Sequence, residues 1–329
     1  MKLASIKDGS RDGQLAVVSR DLASAHYAAG IATRMQQVLD DWNYLSPQLE
    51  DLYATLNQGK ARHAFPFDPR LAMAPLPRAH QWADGSAYLN HVALVRRARG
   101  VDVPDSLRTD PLMYQGGSDD LQGPTDEARF ANEAWGIDFE GELAVITGDV
   151  PMGATVEQAL EGVRLVMLAN DWTLRELVPA ELAKGFGFVQ SKPATAFSPV
   201  AITPDELGPA WQGGRVHLPL ECRVNGRVVG RCDAGPEMTF SFGQLIAHLA
   251  RTRRVRAGSI IGSGTVSNED ESRGCCCIVE LRARETLRDG TPATAYLTHG
   301  DTVRIEMPGA DGQSLFGTIE QRVAPPAGG

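Results

Sequence analysis

Glu140 and Glu142 stand two residues apart in the run Ile137-Asp138-Phe139-Glu140-Gly141-Glu142-Leu143-Ala144-Val145-Ile146. The run alternates with period two, as a strand requires: Ile137, Phe139, Leu143 and Val145 share one face, Asp138, Glu140, Glu142 and Ile146 the other. Two like charges on one face of rigid backbone repel unless something neutralises them. One reading is a strand with a solvated acidic face. The sharper reading is a hard divalent cation, which prefers several carboxylate oxygens. Other acids stand near comparable strand ends. Asp171 follows the apolar run Val163 to Ala169 in Asn170-Asp171-Trp172. Asp84 lies seven residues before His91, with the basic run Arg96, Arg97 and Arg99 just beyond. Taken alone, Asp84 reads equally as a helix cap, His91 as a surface histidine and the arginines as a solvated face. Lys192 sits in the polar loop Val189 to Thr195, and Glu280 in Cys277-Ile278-Val279-Glu280-Leu281, read as a largely buried strand.

Several chemistries are excluded. A net charge of −9 supplies no basic field for nucleic acid. No apolar run approaches the ~18 residues that span a bilayer. Met1-Lys2-Leu3-Ala4-Ser5-Ile6-Lys7-Asp8 meets charge too early for a signal peptide, so a cytoplasmic protein is expected. The five cysteines have no CxxC spacing. Cys275, Cys276 and Cys277, taken as a strand, point to alternate faces and make a poor metal clamp, so they are read as reduced and mostly buried. Gly262-Ser263-Gly264-Thr265 lacks the lysine and the helix of a phosphate loop, and no GxSxG elbow exists.

The elements that must position these groups are mostly strands, as 34 Gly and 20 Pro in 329 residues suggest. Leu3 to Ile6 and Leu15 to Val18 read as strands joined through Asp8-Gly9 and Asp12-Gly13 turns. A helix is expected over Ala23 to Trp42. A second is expected from an N-cap at Ser46, with Pro47 at its first position and Gly59 near its stop. Nothing in this segment has catalytic spacing, which suits a packing or dimerisation unit. Pro66, Pro69, Pro75 and Pro77 mark the boundary between residues 1–74 and 75–329. Beyond it, Thr155 with Gln158 and Ser241 with Gln244 are capping boxes. Asn225-Gly226 signals a two-residue hairpin, and alternating strands finish the chain around Gly300-Asp301.

Asp84, His91, Phe139 to Ala144, Asn170-Asp171-Trp172, Lys192 and Gly264-Thr265, in this order, resemble the fumarylacetoacetate hydrolase family over roughly Pro75 to Val323. The resemblance implies a mainly β fold with α+β elements, in which a rolled mixed-sheet catalytic domain follows a small N-terminal α/β domain, and a homodimer. It implies Asp84, Glu140, Glu142 and Asp171 as metal ligands for Mg²⁺ or Ca²⁺, with Mn²⁺ as a further candidate. It implies His91 as the base, Glu280 as its orienting acid, Lys192 as a third catalytic group, and Tyr114 and Thr265 as substrate contacts. The Asp84–His91 spacing and Glu280 favour hydrolysis of a carbon–carbon bond in a small β-diketone acid, fumarylacetoacetate first. Isomerase, decarboxylase or acylpyruvate hydrolase activity on the same scaffold is the alternative. The non-enzymatic alternative is a divalent-ion-binding β module. Two departures bear on substrate identity. A substrate-holding glutamine and tyrosine of the animal enzymes are apolar here, near Val178 and Leu182. Their Tyr-His-Gly-Arg loop appears only as Tyr114-Gln115-Gly116-Gly117.

Overall fold

Leu143-Ala144-Val145-Ile146 and Leu165-Val166-Met167-Leu168-Ala169 are apolar at every position, the pattern of strands covered on both faces. In the computed structural model, which describes residues 1–327, they lie side by side in the antiparallel strands Gly141–Thr147 and Val163–Asn170. This pair is the middle of an eleven-stranded sheet, in which Ala196–Phe197 also pairs with the end of Val163–Asn170. To one side the sheet continues through Ala201–Ile202, Lys2–Ile6, Gln14–Val18, Ser24–Tyr27 and Phe65–Pro66. To the other it continues through Ser259–Gly262, Gln81–Gly85 and Met113–Gly116. Ser259–Gly262 and Gln81–Gly85 run parallel, so the sheet is mixed. A five-stranded sheet built on Pro219–Val224 and Arg227–Asp233 covers one face. There Leu143, Val145, Val166 and Leu168 share a core with Leu220, Val303, Ile305 and Ile319. Ala144, Ile146, Leu165 and Met167 point the other way, into a second core with Leu3, Leu15, Val38 and Leu49. The fold is mainly β with α+β elements, as expected. Among the described residues no helix is long and apolar enough to cross a membrane.

Several local expectations match. The Asp8–Gly9 and Asp12–Gly13 turns carry positive φ at their glycines, as do both hairpin residues Asn225 and Gly226. Both capping boxes form, on helices Val156–Glu161 and Phe242–Leu249. Four expectations fail, each because tertiary contacts override a local pattern.

The helix expected over Ala23 to Trp42 is instead the strand Ser24–Tyr27, paired to Ala16–Val18, and a short helix Met35–Asp40. The next helix begins at Trp42 rather than after Ser46, with Pro47 inside it. Trp42 and Leu45 pack on the second core and carry it past the proline. The single strand Ile137–Ile146 is broken: Ile137–Asp138 pairs with Thr173–Leu174, Gly141–Thr147 joins the large sheet, and Phe139 and Glu140 lie in neither.

Finally, Glu280 is in the first turn of the helix Ile278–Asp289, not in a strand, and Cys275 to Cys277 precede that helix. The β-branched start of this helix is held by another part of the chain. The Asp138 carboxylate accepts from the backbone N–H of Ile278 (2.7 Å) and Val279 (3.0 Å). It thereby satisfies two of the four donors a helix start leaves free.

Candidate active site

Each acid reaches the site from the end of a strand. Asp84 is the last residue but one of the strand Gln81–Gly85, Glu142 is the second residue of Gly141–Thr147, and Asp171 directly follows Val163–Asn170. A ligand oxygen from each lies within 4.8 Å of the other two, and all three residues are buried. Room for Asp84 depends on the next strand: a Cβ on Gly262 would come within 2.2 Å of its Oδ1. Gly264, at φ +75°, turns its N–H onto the same oxygen at 3.1 Å.

Asp171 is the most heavily bonded of the three. Tyr114 Oη donates to its Oδ2 at 2.6 Å, Lys192 Nζ to the same oxygen at 2.6 Å, and Thr195 Oγ1 to its Oδ1 at 2.7 Å. Glu142 is the opposite case. Neither of its carboxyl oxygens has a hydrogen-bond partner among the described residues. Burial, then the charges of Asp84 and Asp171, push the Glu142 carboxyl well above the usual range. Burial followed by Asp171 does the same to Asp84.

Glu140, the fourth acid expected at the metal, lies outside this trio. Lys192 Nζ donates to its Oε2 at 2.5 Å and Arg175 Nη2 to its Oε1 at 2.6 Å. Burial raises the Glu140 carboxyl, but Lys192 and then Arg175 outweigh it and hold the group ionised well below the usual range. Burial likewise opposes the charge on Lys192, yet Asp171 and Glu140 keep the ammonium above its ordinary value. The lysine sits between two acids as their counter-ion.

His91 comes from a different element, the helix Leu89–Ala98 that follows the Asp84 strand. Its Nδ1 is 2.7 Å from Glu280 Oε1, and Glu280 is fully buried at the base of its own helix. With Nδ1 engaged, Nε2 is the nitrogen free to act. Asp84, His91, Tyr114, Glu140, Glu142, Lys192 and Thr265 line one cavity of about 140 Å³. Asp171 and Glu280 stand behind it, bonded to Tyr114 and Lys192 and to His91 respectively. None of Arg96, Arg97 and Arg99 lines it. A larger cavity of about 550 Å³ shares Tyr114, but no acid lines it, and Asp110 already pairs with its His248 (3.4 Å) and Arg251 (3.9 Å). Convergent chemistry is found in the smaller one.

Three further residues build the site without having drawn notice in the sequence. Arg175 lines the cavity and joins Glu140 to Asp138, whose Oδ2 accepts from Arg175 Nε at 2.8 Å. Its signal was its place four residues after Asp171. Asp138 shares the alternation of Glu140 and Glu142, and its capping role depends on a helix 140 residues away. Glu181 accepts from the backbone N–H groups of Val189, Gln190 and Ser191, which fixes the loop that carries Phe188 and Lys192.

The donor set fits a hard divalent cation. Three buried carboxylates converge, one of them with both oxygens unpartnered, and oxygen donors of this kind suit Mg²⁺, Ca²⁺ or Mn²⁺.

The family model for the fumarylacetoacetate (FAA) hydrolase C-terminal region matches residues 80–324, and that for fumarylacetoacetase N-terminal domain 2 matches residues 1–78. The chain belongs to the fumarylacetoacetate hydrolase family.

It is 25% identical over 223 residues to the 2,4-didehydro-3-deoxy-L-rhamnonate hydrolase of Sphingomonas sp. (strain SKA58), covering 66% of each chain. With the fumarylacetoacetase of Arabidopsis thaliana the identity is 23% over 308 residues, 84% of this chain and 68% of that one. With the oxaloacetate tautomerase YisK of Bacillus subtilis (strain 168) it is 27% over 198 residues, 60% of this chain and 61% of that one. The chain thus spans about two thirds of the length of these relatives. The crystal structure of maleylpyruvate hydrolase from Sphingobium sp. SYK-6, in complex with manganese(II) ion and pyruvate, superposes with a TM-score of 0.66 at 17% identity. That match covers 99% of each chain and shows the shared fold.

Proposed function

We propose that this chain hydrolyses a carbon–carbon bond in a β-diketone acid, with fumarylacetoacetate as the first substrate to test and fumarate and acetoacetate as products. The observation that carries the reading is that His91, held by Glu280, lines the same small cavity as Asp84 and Glu142 of the carboxylate trio. An isolated metal-binding module has no use for an oriented imidazole beside its ligands.

In this reading Asp84, Glu142 and Asp171 hold the cation, and Glu140 holds Lys192 and Arg175 in place beside it. A bound Mg²⁺, Ca²⁺ or Mn²⁺ supplies Lewis-acid stabilisation of charge developing on the substrate oxygens. His91 Nε2 takes a proton from water, while Glu280 fixes the tautomer through Nδ1 and stabilises the imidazolium. The water oxygen adds to one carbonyl carbon. The carbon–carbon bond breaks with its electron pair leaving as an enolate, and a proton returns to that carbon. Lys192 and Arg175 present cationic groups to the acidic substrate, and Tyr114 and Thr265 line its seat. Residues 1–74 contribute packing and a face for a second copy of the chain, and no ligand to the metal.

The second reading, a tautomerase, isomerase, decarboxylase or acylpyruvate hydrolase, has specific support in the likeness to the oxaloacetate tautomerase. Incubating the Mg²⁺- or Mn²⁺-loaded protein with fumarylacetoacetate, a panel of acylpyruvates and oxaloacetate separates them. Loss of diketone absorbance with stoichiometric release of two acids supports hydrolysis. Enol–keto interconversion without cleavage, release of CO2, or cleavage of an acylpyruvate with fumarylacetoacetate left intact supports the second reading.

A further inference from the structure

The segment before the Ile278–Asp289 helix places a thiol against the proposed base. Cys277 Sγ lies 4.0 Å from His91 Nδ1, the nitrogen that also meets Glu280 Oε1 at 2.7 Å. Ligand atoms of His91, Cys277 and Glu280 all fall within 4.8 Å of one another. The other carboxyl oxygen of Glu280 is buried without a hydrogen-bond partner, its nearest cation being Arg284 at 4.0 Å. Acid–base catalysis by His91 and Glu280 has no need of Cys277. We propose that His91, Cys277 and Glu280 form a second cation site, selective for Zn²⁺ and similar thiophilic divalent ions, whose occupation disables the base.

The donor chemistry separates the two sites. The carboxylate trio offers oxygen alone, which suits hard ions. One nitrogen, one sulfur and one oxygen make a set that favours zinc, leaving a fourth position for water. Of the three residues His91 lines the cavity, with Cys277 and Glu280 buried behind it. Burial, with Glu280 and Asp138 next, keeps the Cys277 thiol protonated in the ion-free protein. Binding therefore exchanges protons for metal bonds. The thiol proton leaves to solvent as the Zn–S bond forms, the Nδ1 proton moves to Nε2 as the Zn–N bond forms, and one Glu280 oxygen completes the set. No electrons are transferred. An imidazole ligated through Nδ1 and protonated at Nε2 has no lone pair left to accept a proton from water.

Only the inhibitory consequence depends on His91 being the base; the binding does not. The test uses the full chain with Mg²⁺ in excess to fill the carboxylate trio, titrated with Co²⁺ and with Zn²⁺. Expected are one further equivalent of metal per chain by elemental analysis and a near-ultraviolet thiolate-to-Co²⁺ charge-transfer band. The band should be absent from Cys277→Ser and Cys277→Ala. The turnover these variants show with Mg²⁺ should need at least about tenfold more Zn²⁺ for half inhibition, about 1.4 kcal/mol of lost affinity. A single metal equivalent, or a band of equal strength in both variants, overturns the site. A band with the predicted Cys277 dependence but Zn²⁺ inhibition unchanged by the substitutions overturns the inhibitory role. If no diketone is turned over at all, the band and the stoichiometry still decide the site independently of the catalytic reading.

Discussion

In the proposed reaction His91 and Glu142 carry two separable halves of the chemistry. His91 touches Glu280 and none of the trio acids by hydrogen bond, so its removal should spare the metal. His91→Ala is expected to lower kcat on the best diketone by at least about 10²-fold, the usual size of a general-base contribution. Mn²⁺ affinity by titration calorimetry should stay unchanged. Glu280→Gln keeps a hydrogen-bond acceptor for Nδ1 and should lose less. Wild-type turnover by His91→Ala on every substrate would end the hydrolase reading. Arg175 and Lys192 show how a site this acidic stays folded: each is itself nearly buried and each answers two carboxylates. Only Glu142 is left with no donor, and that is what marks it as a ligand in waiting.

At the scale of elements, the helix Ile278–Asp289 depends on a residue that precedes it by 140 positions. Asp138 caps its first turn and, through Arg175, ties that turn to Glu140. Burial pushes the Asp138 carboxyl up, while Arg175 and the Ile278 N–H pull the other way. Asp138→Ala removes two helix-start acceptors and leaves Arg175 with one partner fewer. The expected cost is about 3–5 kcal/mol, the range for breaking a buried ion pair, read as a fall in the urea midpoint. Because Glu280 rides on the same turn, kcat should fall as well, while the affinity of the trio for Mn²⁺ should change little. A variant as stable as wild type would show that Asp138 merely fills space.

For the molecule as a whole, a metal at the proposed trio would link its binding to folding. The buried trio repels itself, and an ion that binds only the folded chain stabilises it by about 2.7 kcal/mol at one hundred times its Kd. Mn²⁺ or Mg²⁺ should therefore raise Tm by several degrees, and the rise should be much smaller in Glu142→Gln. Exhaustive chelation should abolish turnover and readdition restore it. An identical Tm with and without metal would argue against the trio as the site. The first strand offers a pH test of how the N-terminal segment is joined to the rest. Lys2 is buried and donates to the Leu315 carbonyl at 2.6 Å, and burial lowers its pKa to about 8. A base with a lowered folded pKa counts against folding while it is charged, and that cost is relieved as pH rises from about 8 toward its ordinary 10.5. Wild type should therefore gain stability relative to Lys2→Met between pH 7 and pH 10. A pH-independent difference between their urea midpoints would refute this.

Much of this protein was legible in one dimension because the signals are local. Period-two runs, the strand end bearing Asp171, the Asn225-Gly226 hairpin and two capping boxes are set by neighbours in sequence and by backbone preferences. The order of acids, lysine and Gly-Thr turn pointed to the family for the same reason. What local pattern could not supply were interactions across the chain. Ser24 to Tyr27 is a strand because Ala16 to Val18 offers it an edge. Ile278-Val279-Glu280 is a helix because Asp138 caps it, although its β-branched residues read as a strand. Alternation put Glu140 and Glu142 on one face as equals. Their different environments were decided by Lys192 and Arg175 reaching Glu140 while nothing reaches Glu142. Charge pairing over distances of 35 to 52 residues has no period for a sequence to display.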